Sequence, residues 1–319
     1  MDLLDLAFSV ALRHAKFFAA GWGDLALVEG ERVADAPPDP LEVELGPPER
    51  REGVVMRSGS FDAPDRRLPS GRRARVRLLE PVTGAPEAAV LLLASSGDQG
   101  FAAREAFAAP LVRRGLAVLL LENPFYGTRR PPGQAGAAMR TVSDLVLMAA
   151  AATREGRALA AWLRARGHGR VGVAGYSMGG QVAAMVGCTL PFPVAIAALA
   201  PSATPASVFA EGHLRHAVDL DALGGGPAAR AMLHRRLARF DVARFPRPAP
   251  GSTAIVVGGR KDGIVTPPNP EAVARHLGAE LRWLDAGHVT AVLFHQEALR
   301  RAVWDAVSGL PRAEARAAG

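Results

Sequence analysis

The chain has 319 residues, enough for one large α/β domain or two small ones, and 49% of them are hydrophobic. The formal net charge is +7, but the basic residues are almost all arginine and are scattered without a nucleic-acid recognition motif, so we expect no nucleic-acid partner. The single cysteine, Cys188, excludes an internal disulfide framework. Asp2 and Asp5 stand where a secretory signal carries basic residues, which favours a soluble cytoplasmic protein.

Residues 1–50 are predicted to form an N-terminal amphipathic helix and a linker. Apolar residues recur at helical spacing within residues 1–30, at Leu4, Ala7, Phe8, Ala11, Ala15 and Phe18. Such a stripe packs either on the body of the protein, which we favour here, or on a membrane surface, which leaves a peripheral membrane contact open. Five prolines make residues 34–48 an extended linker.

From residue 51 onward, strand-like and helix-like segments alternate. The predicted strands are Val54–Phe61, Arg72–Glu80, Ala88–Ala94, Leu116–Leu121, Val171–Ala174, Val194–Leu199, Ala254–Val257 and Leu281–Leu284. The predicted helices are Arg104–Arg114, one that Ser143 and Asp144 open and that reaches Arg166, one through Gln181–Val186, Glu271–Leu277 and Thr290–Val307. This alternation predicts an α/β core, over residues 51–200 and 251–310, whose mostly parallel sheet is covered on both faces.

Residues 201–250 interrupt the alternation. They contain no clear strand, a run of three glycines at Gly224–Gly226 and helix-like patches at Ala206–Val218 and Ala228–Phe240. A segment this long between two core strands is typically functional or disordered, and we interpret it as a helical lid. Its apolar residues Val208, Phe209, Leu214 and Met232 would then shape a substrate pocket.

The pentapeptide from Gly175 to Gly179, Gly-Tyr-Ser-Met-Gly, follows a predicted strand and opens a predicted helix. In a nucleophile elbow this sharp turn strains the backbone of the serine, here Ser177, and requires glycine two positions away on either side. The pentapeptide alone is weak evidence in a chain with 34 glycines, but its strand–turn–helix context is the one that an elbow needs.

A serine hydroxyl becomes a good nucleophile when a histidine removes its proton and an acid orients that histidine. In α/β-hydrolases the acid and the histidine follow late strands of the sheet. Asp262 follows the strand Ala254–Val257, and His288 follows the strand Leu281–Leu284. We therefore predict a triad of Ser177, His288 and Asp262 at one sheet edge, within an α/β-hydrolase fold. Alternatives remain: Asp262 as a turn residue replaced by Asp285 or Asp219, and His288 as a helix cap.

Acyl chemistry also needs hydrogen-bond donors for the developing oxyanion. The backbone N–H of Met178 is one predicted donor. The loop after the strand Ala88–Ala94 should supply the other, from Ser96 or, failing that, Gly97, whereas Asp98 either caps the next helix or touches substrate.

His213 and His216 have no third partner at a suitable spacing for a metal ligand, so we read them as surface residues of the lid. We expect neither a metal nor another cofactor.

Several blocks occur in order along nearly the whole chain, residues 14–307. They are Lys16-Phe17-Phe18, Gly21-Trp22-Gly23, Leu120-Leu121-Glu122-Asn123-Pro124-Phe125-Tyr126-Gly127, Val142-Ser143-Asp144-Leu145, Ser177-Met178-Gly179-Gly180 and the run from Gly287 to Phe294. Together they resemble the α/β-hydrolase domain-containing protein 18 family. The resemblance implies a serine hydrolase whose serine, aspartate and histidine fall on Ser177, Asp262 and His288.

In this resemblance Asn123, Phe125 and Tyr126 line the active-site edge or form a structural loop. We add Tyr176 and Phe209 as candidate substrate contacts. The leading hypothesis is a serine hydrolase that cleaves a carboxylic ester through an acyl-serine intermediate, and the resemblance implies that this ester is a lipid acyl ester. Thioesterase, peptidase and acyltransferase activity on the same triad, and a non-catalytic binding protein of this fold, are the alternatives.

Overall fold

The computed structural model describes residues 2–12, 14–33 and 36–312. Its strands are β1 (Glu44–Leu45), β2 (Glu49–Arg51), β3 (Val54–Asp62), β4 (Arg73–Pro81), β5 (Ala88–Leu93), β6 (Leu116–Leu121), β7 (Arg170–Tyr176), β8 (Ala195–Leu199), β9 (Thr253–Gly259) and β10 (Glu280–Leu284). Its α-helices are α1 (Leu3–Leu12), α2 (Leu25–Gly30), α3 (Ala102–Arg113), α4 (Val142–Ala165), α5 (Met178–Thr189), α6 (Gly226–Leu237), α7 (Pro268–Leu277), α8 (His288–Phe294) and α9 (Gln296–Gly309). The strands predicted from residue 51 onward correspond to β3–β10, to within two residues at each end.

Within the described residues, all ten strands belong to one sheet, in the order β1-β3-β4-β6-β5-β7-β8-β9-β10, with β2 also paired to β3. The strands β6, β5, β7, β8, β9 and β10 are parallel, and β4 joins them antiparallel through β6. The predicted mostly parallel sheet is confirmed, and the carboxyl ends of its central strands meet at one edge.

Both faces of the sheet are covered, and the side chains of β5 show how. Ala89, Leu91 and Leu93 belong to the core cluster that contains α4, α5 and α7, while Ala88, Val90 and Leu92 belong to the cluster that contains α3 and α9. Successive residues of a strand point to opposite faces, so a fully apolar strand requires apolar partners on both sides.

The N-terminal region differs from the prediction in two ways. The single helix expected over residues 1–30 is two helices, α1 and α2, joined by an irregular segment. The stripe expected to pack on the body is wrong for Leu4 and Phe8, which are 40% and 43% exposed, while α1 buries Asp5 and Ser9 instead. The cause is a set of hydrogen bonds. The Asp5 carboxylate accepts from backbone N–H groups of the body, and this orientation turns the apolar side of α1 outward.

The predicted linker over residues 34–48 begins with Ala34 and Asp35, which lie outside the described residues. Farther along, Glu44 and Leu45 pair with β3 as the short strand β1, which the proline-rich composition had hidden.

Residues 201–250 contain a π-helical turn at Ser207–Glu211, 3-10 turns beginning with His213–Ala217, and the helix α6. The irregular segment between α1 and α2 pairs with this region through one bridge: the Phe17 N–H donates to the Ala217 carbonyl at 2.7 Å and the Asp219 N–H donates to the Phe17 carbonyl at 2.8 Å. The N-terminal segment is therefore tied directly to the region predicted as a lid.

Two predicted helix boundaries move. The first cap of α4 is Thr141 rather than Ser143: the Asp144 N–H donates to the Thr141 hydroxyl at 3.0 Å, and the Asp144 carboxylate accepts from the Thr141 N–H at 3.2 Å. Ser143 instead accepts a hydrogen bond from the Asp24 N–H at 3.1 Å. The closing helix expected over Thr290–Val307 is divided into α8 and α9 at His295.

A buried ion pair ties the loop after β6 to α4. The Arg129 guanidinium donates to both carboxylate oxygens of Glu155, at 2.7 and 2.5 Å, and to the Glu122 carbonyl at 3.0 Å. Both side chains are almost fully buried, at 1% and 0% exposure. Burial raises the pKa of Glu155, and the charge and hydrogen bonds of Arg129 oppose that shift. The pair fixes the position of the loop that carries Tyr126.

We predict that Glu155→Gln lowers the free energy of unfolding by about 3–5 kcal/mol, because it leaves the Arg129 charge buried without a counter-charge. Urea unfolding followed by circular dichroism measures the loss. The matched control is Glu49→Gln, which breaks the ion pair with Arg51 on exposed side chains and should cost less than about 1 kcal/mol. Equal losses in the two variants would contradict the prediction.

Candidate active site

Ser177 lies in a sharp turn between β7 and α5. Its backbone has φ 57° and ψ −119°, a conformation that non-glycine residues rarely adopt, and its N–H donates to the Leu199 carbonyl at 2.8 Å. A Cβ atom at Gly175 would lie 2.4 Å from the Gly179 carbonyl carbon, and one at Gly179 would lie 2.7 Å from the Ala94 carbonyl oxygen. The turn therefore requires glycine at both positions, as the elbow pattern predicts.

The Ser177 hydroxyl begins a chain of two hydrogen bonds. His288 Nε2 lies 2.9 Å from Ser177 Oγ, and His288 Nδ1 lies 2.6 Å from Asp262 Oδ2. The second oxygen of Asp262, Oδ1, accepts from the backbone N–H groups of Ile264 at 2.9 Å and Val265 at 2.7 Å. Because a carboxylate only accepts, the proton of the imidazole belongs on Nδ1, which leaves Nε2 free to accept the serine proton.

The three side chains come from the carboxyl ends of three parallel strands. Ser177 follows β7, Asp262 follows β9, and His288 follows β10, so the sheet edge brings together residues that are far apart in the chain. Asp262 and His288 are buried, at 4% and 8% exposure, which shields their hydrogen bond from water.

Tyr176 contacts His288 through a hydrogen bond and through its ring. Its hydroxyl donates to the His288 carbonyl at 2.5 Å, and the two rings lie 5.1 Å apart. Burial, followed by the charges of Asp262 and Asp5, raises the pKa of Tyr176 well above its ordinary value, so the hydroxyl stays protonated and able to donate. Tyr176 does not line the cavity beside Ser177; it lines a neighbouring one with Ser95, Phe107 and Val292.

The side chains proposed as rivals to Asp262 lie elsewhere. Asp285 forms an exposed ion pair with Lys261 at 2.9 Å, and Asp219 accepts from the Ala222 N–H at 3.1 Å.

Asp98 accepts from the buried Arg104 guanidinium at 2.5 Å and does not cap α3. Of the described side chains, no three or more His, Cys, Asp or Glu residues form a group that could hold a metal ion.

The predicted oxyanion donors flank the serine. Met178 is the first residue of α5, directly after Ser177, and Ser96 lines the same cavity as Ser177. Gly97 is exposed next to Ser96, with φ 86°. The Tyr126 hydroxyl lies between these groups, 3.5 Å from Ser96 Oγ and 3.9 Å from Met178 Sδ.

Tyr126 is fully buried, and burial raises the pKa of its hydroxyl, which keeps it protonated. Of the three candidates Asn123, Phe125 and Tyr126, only Tyr126 lines the cavity beside Ser177. Asn123 donates from its side-chain amide to the Pro124 carbonyl at 2.8 Å, and Phe125, with φ 68°, packs in the core. These two residues shape the loop.

A narrow cavity of about 70 Å³ opens beside Ser177. Apolar side chains dominate its lining: Phe17, Met139, Leu145, Met148, Met185, Val208, Phe209, Leu214, Ile264 and Val265. Three of the four apolar residues expected from region 201–250 are among them, whereas Met232 is 36% exposed and lies outside the lining.

Sequence reasoning missed two residues of this site. Phe17 lines the cavity, and its ring lies 5.1 Å from the ring of Phe209 at an interplanar angle of 55°, although only its presence in a family-like block had marked it. Asp5 accepts a hydrogen bond from the His288 N–H at 2.8 Å. No motif signals Asp5; the one available hint is an acidic residue on the mostly apolar helix α1.

The comparison with protein families gives a match over nearly the whole chain. The profile of the family described as alpha/beta hydrolase domain containing 18 matches residues 15–226 and 225–308. The resemblance inferred from the sequence blocks is therefore confirmed.

Solved structures show the same fold at low identity. Acetyl xylan esterase 1 from Thermoanaerobacterium sp. JW/SL YS485 superposes with a TM-score of 0.61 at 16% identity, over 92% of this chain and 98% of that one. An acetyl xylan esterase from Paenibacillus sp. R4 gives 0.56 at 16%, over 93% and 98%. A cold-adapted esterase from an Arctic intertidal metagenomic library gives 0.52 at 18%, over 81% and 98%. The predicted α/β-hydrolase fold is confirmed.

Proposed function

This chain belongs to the alpha/beta hydrolase domain containing 18 family, and we propose that it is a serine hydrolase that cleaves carboxylic esters. The observation that carries the proposal is the hydrogen-bonded chain from Ser177 through His288 to Asp262, set on a strained turn. Esterases among the structural neighbours agree with it at the level of the fold.

In the proposed mechanism Ser177 Oγ attacks the acyl carbonyl while His288 Nε2 takes its proton. The bond to the alcohol then breaks, and His288 returns the proton to the leaving oxygen. Asp262 holds the imidazole and stabilises its charged form. Water then attacks the acyl-serine ester with His288 again as base, which releases the acid and restores the Ser177 hydroxyl.

Two groups of donors would stabilise the oxyanion. The Met178 N–H is one, at the N-terminus of α5 where the helix dipole favours negative charge. Ser96 or Gly97 would supply the other, with Tyr126 beside them. Tyr176 would act through His288 and not as a substrate contact.

We further propose that the substrate is a lipid acyl ester whose chain enters the apolar cavity beneath residues 201–250. At about 70 Å³ the cavity has room for only the first few methylene groups, so a longer chain requires residues 201–250 to move outward. The cavity lining, which includes Phe209, supports an apolar acyl group. Residues 201–250 would then act as a lid, and residues 51–200 and 251–310 as the catalytic core.

The same triad would also serve a thioesterase, a peptidase or an acyltransferase. A non-catalytic binding protein is the alternative from another class, but a scaffold has no need for an aligned nucleophile, base and acid. Leaving groups of different chemistry on one acyl chain separate the enzymatic options.

We predict that a fluorophosphonate probe labels the wild-type protein at Ser177. The Ser177→Ala variant should not be labelled at all, and His288→Ala and Asp262→Asn should be labelled about 10²–10⁴-fold more slowly, because each removes part of the proton transfer. Labelling rates are read from gel fluorescence, with the labelled residue identified by peptide mass spectrometry.

The matched control is Ser202→Ala, since Ser202 lines the same cavity but its hydroxyl donates to Gln181 and not to His288. It should retain labelling. A folded wild-type protein that stays unlabelled, or a labelled Ser177→Ala variant, would contradict the proposed activity.

We predict that Leu214→Trp, which fills the cavity, lowers kcat/KM for a long-chain p-nitrophenyl ester about 10- to 100-fold relative to the acetate ester, because buried methylene groups lose their space. Met232→Trp is the matched control, on the same segment but outside the cavity, and should leave the ratio unchanged. An unchanged ratio in Leu214→Trp would argue against an acyl chain in this cavity.

We also propose that the N-terminal helix makes a peripheral contact with a phospholipid surface. Exposed apolar side chains cluster on α1 and at the end of α8, namely Leu3, Leu4, Leu6, Phe8, Val10, Leu293 and Phe294. Phe294 is 71% exposed, and burying such side chains in lipid is favourable. No helix within the described residues is both long and apolar enough to span a bilayer.

For this contact we predict that the double variant Phe8→Ser/Phe294→Ser binds anionic phospholipid vesicles about 10- to 100-fold more weakly than the wild type in flotation assays. The matched control is Leu25→Ser/Val82→Ser, which removes two apolar side chains that are also exposed but lie elsewhere. It should bind like the wild type. Equal weakening of vesicle binding in both double variants would show that α1 and α8 do not make the contact.

A further inference from the structure

The carboxylate of Asp5 is nearly inaccessible, at 1% exposure, and contacts the backbone around the proposed acid and base. Its Oδ2 accepts from the Gly263 N–H at 3.0 Å and from the His288 N–H at 2.8 Å. Its Oδ1 accepts from the Val289 N–H at 2.8 Å. One side chain of α1 thus satisfies three backbone donors, one in the loop after β9 and two in the first residues of α8.

These two segments contain Asp262 and His288, whose side chains are hydrogen-bonded to each other. Gly263 directly follows Asp262, and His288 and Val289 open α8. The first N–H groups of a helix have no partner within the helix and favour a negative charge. Asp5 provides that charge from outside, and the same oxygen that binds the helix start also binds the acid loop.

The N-terminal segment fits this place closely. A Cβ atom on Gly287 would lie 2.3 Å from Asp2 Cβ and 2.7 Å from Asp5 Oδ2, so the backbone before His288 leaves no room for a side chain. The Thr290 hydroxyl donates to Asp2 at 2.9 Å, and the Ser9 hydroxyl donates to the Asp5 carbonyl at 2.7 Å. The contacts at Gly287 and Thr290 restrict how the start of α8 can move relative to the N-terminal segment, whereas the Ser9 bond lies within α1.

We propose that Asp5 is a positioning residue that holds Asp262 and His288 at the separation their hydrogen bond requires. The proposal rests on the proposed function, because positioning matters only if the pair activates Ser177. The bond from His288 Nδ1 to Asp262 Oδ2 measures 2.6 Å, and catalytic groups tolerate little displacement: an error of about 1 Å can cost about 10²-fold in rate.

The substitution Asp5→Asn would lose part of these hydrogen bonds. The asparagine amide has one oxygen, so it cannot accept from all three N–H groups, and its NH₂ would face at least one of them donor to donor. The shape of the side chain is nearly kept, so the change acts mainly on these hydrogen bonds.

The test uses the full-length chain and two readouts on Asp5→Asn. The first is the rate at which a fluorophosphonate probe labels Ser177, per folded molecule. The second is the low-field proton NMR resonance of the imidazole N–H that bonds to Asp262, which reports the hydrogen bond itself and which a purely anchoring role of Asp5 would leave in place. We expect labelling to slow about 10- to 100-fold and the resonance to shift or disappear.

Two control variants separate positioning from anchoring. Asp24→Asn makes the same chemical change at the cap of α2, where Asp24 accepts from the Leu27 N–H at 3.1 Å, and should leave both readouts unchanged. Ser9→Ala loosens α1 without touching the carboxylate and should also retain the resonance. If Asp5→Asn fails to fold, Asp5→Ser, which is smaller and keeps one acceptor, replaces it.

An Asp5 variant that labels at the wild-type rate with an unchanged resonance would overturn the proposal, as would equal effects in Ser9→Ala. The proposed function fails separately, through a folded wild-type protein that the probe does not label. In that case the resonance still shows whether Asp5 holds the pair.

Discussion

The strained backbone of Ser177 is the constraint on which the arrangement of the site depends. A positive φ at a serine persists because the N–H of Ser177 is held by the Leu199 carbonyl and because neighbouring strands leave space only for glycine around the turn. Gly179 packs against the carbonyl of Ala94, at the end of β5. The tight turn therefore places the proposed nucleophile beside the loop that follows β5, where Ser96 lies, so the same close packing positions Ser177 and the proposed oxyanion loop.

The two faces of α1 join the site to the surface of the protein. Its polar face, with Asp5, contacts the loops of the proposed acid and base, while its apolar face, with Leu3 at 81% exposure, is turned to solvent. This orientation inverts the usual pattern of an amphipathic helix on a globular protein. Hydrogen bonds from Asp5 to three backbone N–H groups can stabilise this orientation more than the burial of a few apolar side chains would. The cost of the exposed apolar side chains is smaller if they contact a lipid surface, as proposed above.

The sequence was sufficient to predict the core and the grouping of Ser177, His288 and Asp262, but not the segments that contact them. Apolar runs of strand length predicted β5–β10, and the rule that parallel strands end at one edge brought Asp262 and His288 towards Ser177. Asp5 escaped prediction because its role depends on a contact with residues more than 250 positions away, which leaves no local pattern. The same holds for Phe17, whose place in the cavity depends on its pairing with the 3-10 turn that ends at Ala217.

The loop after β6 shows why a distinctive motif need not consist of catalytic groups. Glu122 accepts from the Thr128 N–H at 2.9 Å, and at Gly127 a Cβ atom would collide with the Glu122 carboxylate, so the loop folds back on its own first residue. The Arg129 pair with Glu155 then locks that loop to α4. A buried charge pair costs desolvation and gives little net stability, so its use here is better explained by the fixed position that it enforces. What it positions is the Tyr126 hydroxyl, the one polar group of the loop that reaches the Ser177 cavity.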